Sequence, residues 1–351
     1  MRVVVSMSGG VDSSVCAYLL KHQGYEPIGI FMKIGVLSYS RATCCSLEDA
    51  FDARRVADKL RIPFYSLDMS FSFAPIIDYF IQSYNRGYTP NPCIMCNKIL
   101  KFGRLWYYVK ALGADAIATG HYAKICNRNG RYVLEKGVDP SKDQSYVLFT
   151  LTQEQLPHVL FPLGEYTKAQ VREIAAKVNL PVRDKPESQD ICFVPGGDYP
   201  RFLWSRIPSE IREGQIHTID GKVIGYHPGY QFFTIGQRKG LRVALGKPLY
   251  VVAIDPFKNV ITVGEESDLY RSEMVVGDVN WVSFDRPSVR DVINVDVKIR
   301  YTHSPAPAKL SVLDDGRVRI KFDRPQRAIT PGQAAVFYQG QGVLGGGWIE
   351  R

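Results

Sequence analysis

The chain has 351 residues, 45% hydrophobic and 23% charged, an ordinary globular composition long enough for about two or three domains. No run approaches the ~20 uninterrupted apolar residues of a membrane helix, and "RVVVSMSGG" lacks the regions of a signal peptide, so the expectation is a cytoplasmic protein with no membrane partner. Lysine and arginine number 44 against 35 aspartates and glutamates, and the net +9 suits a polyanionic partner such as nucleic acid, although plain solubility explains it equally well.

The first half alternates β-rich runs with amphipathic segments, the pattern of a parallel sheet covered by helices. "RVVVSM" reads as a buried strand, "SSVCAYLLKHQG" as a helix stopped by Gly24, and "EPIGIFMK" as the next strand. Ser46 caps a helix in "SLEDAFDARRVADKL", with Asp49 in the capping-box position. "IPFYSLDM" returns to strand, "PIIDYFIQSY" is helical, "KILKFGRLWYYVKALG" continues as a helix after a cysteine pair, and "DAIATGHYA" is a strand. Residues 142–180 read as mainly helical, with Thr167 an N-cap, before the long polar loop "PVRDKPESQDICFVPGG". Beyond Pro195 short strands alternate with turns such as "DGK", "HPG" and "DPFKN". The expected units are 1–195, α/β with a parallel sheet; 196–271, small and β-rich; and 272–351, a β-barrel. No internal repeat is visible.

"SMSGGVDSS", Ser6 to Ser14, lies between a strand and a helix, where backbone N–H groups and a helix N-terminus can meet an anion. Gly9 and Gly10 let the backbone approach phosphate, and Ser8, Ser13 and Ser14 add hydroxyl donors. The Gly-Lys-Ser/Thr ending of a Walker A loop is missing. Asp12 would repel a phosphate unless a cation intervened, which points to magnesium. The plain alternative is a glycine turn before a serine-capped helix.

"SGGVDSS" resembles the pyrophosphate loop of the N-type ATP pyrophosphatases, which transfer AMP to an oxygen and release pyrophosphate. The longer segments "TPNPCIMCNKILKFG", "ADAIATGHYA", "SKDQSYVLFTL", "LFPLGEYTKAQVREIA", "ESQDICFVPGG", "TIGQRKGL" and "ITPGQAAVFY" together resemble the bacterial MnmA-type tRNA-specific 2-thiouridylases along essentially the whole chain. The resemblance implies an adenine-nucleotide α-hydrolase-like catalytic domain. It also implies replacement of the 2-oxygen of the wobble uridine by sulfur, with ATP, in the tRNAs for lysine, glutamate and glutamine. A cysteine desulfurase or sulfur-relay protein is the implied sulfur source. Carried over residue by residue, the ATP subsite takes in Ser6, Met7, Ser8, Gly9, Gly10, Val11, Asp12 and Ser13, then Met32 and Gly120. Ser6 stands where relatives often have glycine. The tRNA contacts are Asn91, Pro92, Cys93, His121, Lys142, Asp143, Gln144, Arg300, Tyr301 and Gln333. Each of these polar residues is equally readable as a turn-former or a satisfied surface group. Lys298, Arg300, Lys309, Arg317, Arg319, Lys321, Arg324 and Arg327 are expected to form one basic face, which solvated strands would mimic.

Seven cysteines argue against a disulfide scaffold. Cys16, Cys44, Cys45 and Cys126 read as packing residues, leaving Cys93, Cys96 and Cys192. The Cys93/Cys96 pair lacks the further ligands of a zinc site and the context of a thioredoxin. The resemblance places a persulfide on Cys192 and the attacking or resolving thiol on Cys96. From the sequence, Cys192 between Ile191 and Phe193 reads as a core cysteine, whereas Cys96, opening a helix beside Lys98, is expected to have a lowered thiol pKa. Cys93 stands where the family pattern has an aspartate. This leaves a second scheme open, in which Cys93, Cys96 and Cys192 hold a 4Fe-4S cluster at three corners. Rival functions are an amide-forming or argininosuccinate-type ligase and a non-catalytic RNA-binding protein; neither needs Cys96 or Cys192.

Overall fold

The structure, a computed structural model, describes residues 1–35, 46–187, 191–243, 246–289 and 291–351. Cys44 and Cys45 lie outside the described residues. The first half builds β1 (Arg2–Ser6), α1 (Val11–His22), β2 (Glu26–Lys33), α2 (Leu47–Leu60), β3 (Phe64–Asp68) and α3 (Ser70–Asn85). Then come α4 (Pro92–Met95), a π-helical stretch Cys96–Arg104, α5 (Leu105–Ala111), β4 (Ala116–Ala118), β5 (Ala123–Arg128), β6 (Arg131–Lys136), β7 (Val159–Leu160) and α6 (Lys168–Lys177). Five strands pair in the order β3-β2-β1-β4-β7, all parallel. Val3 and Val5 enter one core with Val15, Val56 and Val171, whereas Val4 enters the opposite core with Ile30, Phe73 and Leu105. A strand buried on both faces needs apolar side chains at consecutive positions, which is why "VVV" is a run and not an alternation.

Helix punctuation follows the sequence. Ser46 and Asp49 form a reciprocal capping box on α2, Thr167 and Gln170 do the same on α6, and Gly24 turns the chain after α1 at φ +84°. Other expectations change. Residues 142–180 are not mainly helical: Pro157, Pro162 and Gly164 limit the chain to short 3-10 turns until α6, and Tyr146, Leu148, Phe149 and Leu163 plug cores without forming one helical stripe. "DAIATGHYA" is strand at Ala116–Ala118, then breaks until β5 starts at Ala123. The β5–β6 hairpin closes on Asn129 and Gly130, both at positive φ, an Asn-Gly turn signal that was legible in the sequence.

Helix α7 (Tyr199–Arg206), capped by Asp198, precedes the central unit. There β8 (Gly214–Thr218), β9 (Val223–His227), β10 (Tyr250–Asp255) and β11 (Val260–Gly264) form a sheet in the order β10-β11-β8-β9. The last unit comprises β12 (Tyr270–Trp281), β13 (Val292–Lys298), β14 (Ala306–Val312), β15 (Val318–Arg327), β16 (Ala334–Gln339) and β17 (Gly342–Ile349). These strands follow the order β12-β15-β14-β13-β16-β17, and pairing of β17 with β12 closes them into a barrel. The β5–β6 hairpin extends the same sheet: Glu135 lies opposite Gly342, and the Lys136 N–H donates to the Gln341 carbonyl at 3.0 Å.

The barrel also grips the segment before the cysteine pair. Thr89 N–H donates to the Pro331 carbonyl at 2.9 Å, Gln333 Nε2 donates to the carbonyls of Thr89 and Pro90 at 3.0 and 3.3 Å, and Arg351 donates to the Arg86 carbonyl at 3.1 Å. Gly332 sits at φ +87°, and a Cβ there would come within 2.8 Å of Tyr88 Cβ. No helix among the described residues is long and apolar enough to cross a membrane.

Under Cys192, fully buried Phe80 meets Phe193, Phe202 and Tyr84 edge-on at 5.1, 5.9 and 5.0 Å. Phe80→Ala is expected to destabilise the N-terminal half by about 3–5 kcal/mol; a urea transition at the wild-type midpoint would contradict this packing.

Candidate active site

In a parallel sheet buried on both faces, chemistry collects beyond the carboxyl ends of the strands, where the strand order reverses. Here β1 is flanked by β2 and β4, so the loop after β1 (Met7–Gly10) and the loop after β4 (Thr119–Tyr122) face each other. Gly9 has φ +76° and lies against the first turn of α2 at Asp49. Ser13 Oγ accepts from the Ser8 N–H at 3.1 Å, and Ser14 Oγ donates to the Gly10 carbonyl at 2.8 Å, so the loop is braced internally. A Cβ on Gly120 would lie 2.9 Å from Ser13 N, so the two loops touch there. Met7, Val11 and Met32 are buried core side chains, and Ser6 is a buried strand end.

Asp12 has partners that the sequence did not disclose. Lys168 Nζ donates to Oδ1 and Oδ2 at 2.7 and 2.9 Å, and the Tyr122 hydroxyl donates to Oδ1 at 2.8 Å. The carboxylate expected to need magnesium therefore already faces a cation. Lys168 also pairs with Glu187 at 2.9 Å, and Glu187 with Lys142 at 2.7 Å and Arg172 at 3.7 Å. Burial opposes ionisation of Glu187, but Lys142 and Lys168 outweigh it and bring its pKa down to about 2. Burial together with the neighbouring Asp12 carboxylate pushes the Tyr122 hydroxyl far up. On the other side of the loop, Lys185 pairs with Asp49 and Asp52 at 2.7 Å each.

The cysteine pair lies on the helix that starts at Pro92, capped by Asn91 Oδ1, which accepts from the Ile94 N–H at 3.3 Å. Cys93 is exposed in the first turn, whereas Cys96 is half-buried one turn further in. This overturns the expectation of a lowered Cys96 pKa: burial pushes the thiol up, only partly offset by Lys101, while Lys98 is exposed. Cys192 is half-buried and packs, like Cys96, against the core that contains Phe193. Cys16 is a buried core residue, as expected, and Cys126 is half-buried on β5. Among the described residues no group of three or more His, Cys, Asp or Glu is placed to hold a metal ion. Cys93, Cys96 and Cys192 thus do not fit a 4Fe-4S cluster in this arrangement.

His121 is buried, its Nδ1 2.6 Å from Thr119 Oγ1 and its ring against those of Phe102 and Phe161, which also touch each other. Burial and the charge of Lys101 hold its pKa well below the ordinary value, so it is a neutral imidazole. Asp143 is buried and accepts from Ser145 Oγ at 2.9 Å; Gln144 Oε1 accepts from the Tyr122 N–H at 3.0 Å. Tyr301, partly exposed at 40%, brings the barrel to the cysteine helix, close enough for Asp143, Cys93 and Glu187 to add to the burial that raises its pKa. Lys298 Nζ lies 5.4 Å from its ring centroid and 5.8 Å from that of Tyr146. Pro92 is buried and Gln333 half-buried.

The expected single basic face divides in two. Lys298 lies against the touching rings of Tyr146 and Tyr301, and half-buried Arg300 donates to the Arg327 carbonyl at 3.3 Å. Lys309, Arg319, Lys321 and Arg324 are exposed on β14 and β15, while Arg317 pairs with Asp315 and Glu350 and Arg327 with Glu266. Strand alternation, combined with closure of the barrel, sends basic residues to different sides.

The arrangement defines an α/β domain with a glycine loop after its first strand, joined to two β units, with a cysteine-bearing helix in the α/β domain. Residues 1–196 match the family described as tRNA methyl transferase HUP domain, 200–265 the tRNA methyl transferase PRC-barrel domain, and 271–349 the aminomethyltransferase beta-barrel domain. The chain is 49% identical over 358 residues to the tRNA-specific 2-thiouridylase MnmA of Carboxydothermus hydrogenoformans, covering 100% of this chain and 98% of that protein. It is 48% identical over 354 residues to that of Clostridium perfringens, covering 99% and 98%, and 47% identical over 355 residues to MnmA 2 of Clostridium botulinum, covering 100% and 99%. The chain belongs to the MnmA-type tRNA-specific 2-thiouridylase family.

Because folding depresses the pKa of Glu187, its contribution is fully present above the unfolded value near 4.5 and is lost as pH falls toward about 2. Glu187→Gln should lower neutral-pH stability by about 1–2 kcal/mol. It should also flatten this acid limb, as read from urea midpoints across acid pH; an unchanged limb would rule the network out as its source.

Proposed function

We propose that this protein replaces the 2-oxygen of the wobble uridine of tRNA with sulfur at the expense of ATP, releasing AMP and pyrophosphate. The observation that carries this reading is full-length identity of 47–49% to relatives named tRNA-specific 2-thiouridylase. The site's chemistry supports it. The loop after β4 presents Gly120 to the nucleotide loop and His121 to the helix of Cys96, so an activated base held there can meet a thiol. An amide-forming or argininosuccinate-type ligase, or a non-catalytic RNA-binding protein, would leave Cys96 and Cys192 without a role.

A uracil carbonyl oxygen is a poor leaving group. Attack of O2 on the α-phosphorus of magnesium-ATP expels pyrophosphate and makes that oxygen part of a departing AMP. Ser6, Met7, Ser8, Gly9, Gly10, Val11, Asp12 and Ser13 form the phosphate cradle in this assignment, Met32 and Gly120 border the adenine side, and Lys168 joins them as the cation beside Asp12. The terminal sulfur of a Cys192 persulfide then attacks C2, and AMP leaves with the oxygen. Cys96 thiolate attacks Cys192 Sγ; the S–S bond breaks, its electron pair stays on the sulfur now attached to C2, and a Cys96–Cys192 disulfide forms. A thiol reductant restores both cysteines, and a cysteine desulfurase or relay protein reloads Cys192. No step is routed through an iron–sulfur cluster.

A target base inside a stacked anticodon must be turned out and its backbone held. Asn91, Pro92 and Cys93 are assigned to the base, and His121, Lys142, Asp143, Gln144, Arg300, Tyr301 and Gln333 to the surrounding tRNA, in the lysine, glutamate and glutamine isoacceptors. His121 and Asp143 are buried in the free protein, so their part is to shape the wall of the site. The units 1–195, 196–271 and 272–351 serve as catalytic, central and tRNA-contacting domains of a cytoplasmic enzyme.

Incubation with tRNA, ATP and a sulfide donor, followed by nucleoside analysis, should yield 2-thiouridine; its absence, or a methylated nucleoside instead, would sink the reading. Cys96→Ser and Cys192→Ser should each cut thiolation at least about 100-fold while tRNA-dependent pyrophosphate release persists. Undiminished thiolation in either variant would remove that cysteine from the mechanism. Binding of tRNA should weaken steeply between low and moderate salt; near-constant affinity would contradict a phosphate-gripping role for the basic residues.

A further inference from the structure

We propose that Lys101 is the electrostatic partner of Cys96 in sulfur transfer, brought to the thiol by the π-helical register of residues 96–104 and there to hold negative charge on its sulfur. This inference rests on the thiolation reading above. Cys96 opens the π-helical stretch and Lys101 follows it by five residues. In a π-helix the hydrogen-bonded repeat runs from i to i+5, so these two residues lie about one turn apart on the same side. In an α-helix, at 3.6 residues per turn, a residue five positions on points well away. Gly103 belongs to the same geometry: a Cβ there would lie 2.8 Å from the carbonyl oxygen of Lys98, five residues earlier.

The chemistry needs such a cation. Cys96 sits one turn inside the helix, so the N-terminal partial charges that favour a thiolate act more strongly on exposed Cys93. Cys96 is packed against the apolar core that contains Phe80 and Phe193, an environment that favours the neutral thiol. His121 does not supply the charge, because it is buried and neutral, against Phe102 and Phe161 with Nδ1 beside Thr119. Lys101 is the cation whose field reaches both Cys96 and His121. Lys142, Lys168 and Lys185 are each engaged by carboxylates, whereas no ion pair engages Lys101 among the described residues.

The step served is attack of the Cys96 thiolate on Cys192 Sγ, which breaks the persulfide bond, leaves the sulfur on C2 and forms the Cys96–Cys192 disulfide. Adenylation precedes it and uses no thiolate, so the two halves of the reaction separate in a variant.

The test uses full-length Lys101→Met, which keeps the apolar stem, alongside Lys101→Arg. Single-turnover thiolation of tRNA and the rate of iodoacetamide alkylation at Cys96, read by peptide mass, should both fall about 10-fold or more in Lys101→Met. Pyrophosphate release should stay within about threefold, and Lys101→Arg should recover most of both losses. Wild-type alkylation and thiolation rates in Lys101→Met would overturn the inference, as would failure of Lys101→Arg to recover either. Should Lys101→Met not fold, Lys101→Gln takes its place with the same readouts. Failure of the wild-type protein to thiolate tRNA would instead overturn the underlying function, while the alkylation comparison would still report on Lys101 and Cys96.

Discussion

Burial of both faces of the parallel sheet is the constraint on which the rest of the site depends. Val3 and Val5 are committed to one core and Val4 to the other, so neither face of β1 can host polar chemistry. Only the carboxyl edge remains, and the meeting of β1 and β4 there brings together loops separated by more than a hundred residues. Glycine at position 120 is a consequence of this close approach, since a side chain there would collide with Asp12 and Ser13, while glycine at position 9 answers the approach of α2 at Asp49.

Charge at that edge is organised as a chain of pairs. Asp12 is held by Lys168, Lys168 by Glu187, and Glu187 by Lys142, linking the nucleotide loop to α6, to the segment before Cys192 and to the residues following the β5–β6 hairpin. Partly buried ions of this kind are costly to leave unpaired, so a change in the partner of Asp12 is felt by Glu187. Binding of a polyphosphate would offer Lys168 a competing anion and therefore bears directly on how the Cys192 segment is held.

The barrel is part of the site's construction. Gln333, Pro331 and Arg351 fix the backbone leading to Asn91, the hairpin joins the barrel's sheet, and Tyr301 reaches the cysteine helix from the barrel side. The helix itself departs from α geometry where the second cysteine begins it, a change of register that decides which side chains share a face with Cys96.

Much of this was legible in the chain. The run "VVV", the serine and threonine caps, the glycine loop and the family segments are local patterns, and local patterns identify the parallel-sheet domain, the nucleotide loop and the cysteines of interest. The hairpin turn at Asn129–Gly130 was also available from local signals. Lys168 could not be found that way, because its meeting with Asp12 spans 156 positions and depends on strand order. The environment of Cys96 was misjudged for a related reason: helix position and nearby charge are sequence properties, but desolvation is decided by what packs against the thiol. The sequence by itself determined the parallel-sheet domain, the glycine loop after its first strand and the family to which the chain belongs. Tertiary structure decided which side chains are paired and which are buried, because electrostatic free energies depend on distance and dielectric, and neither is a property of a linear chain.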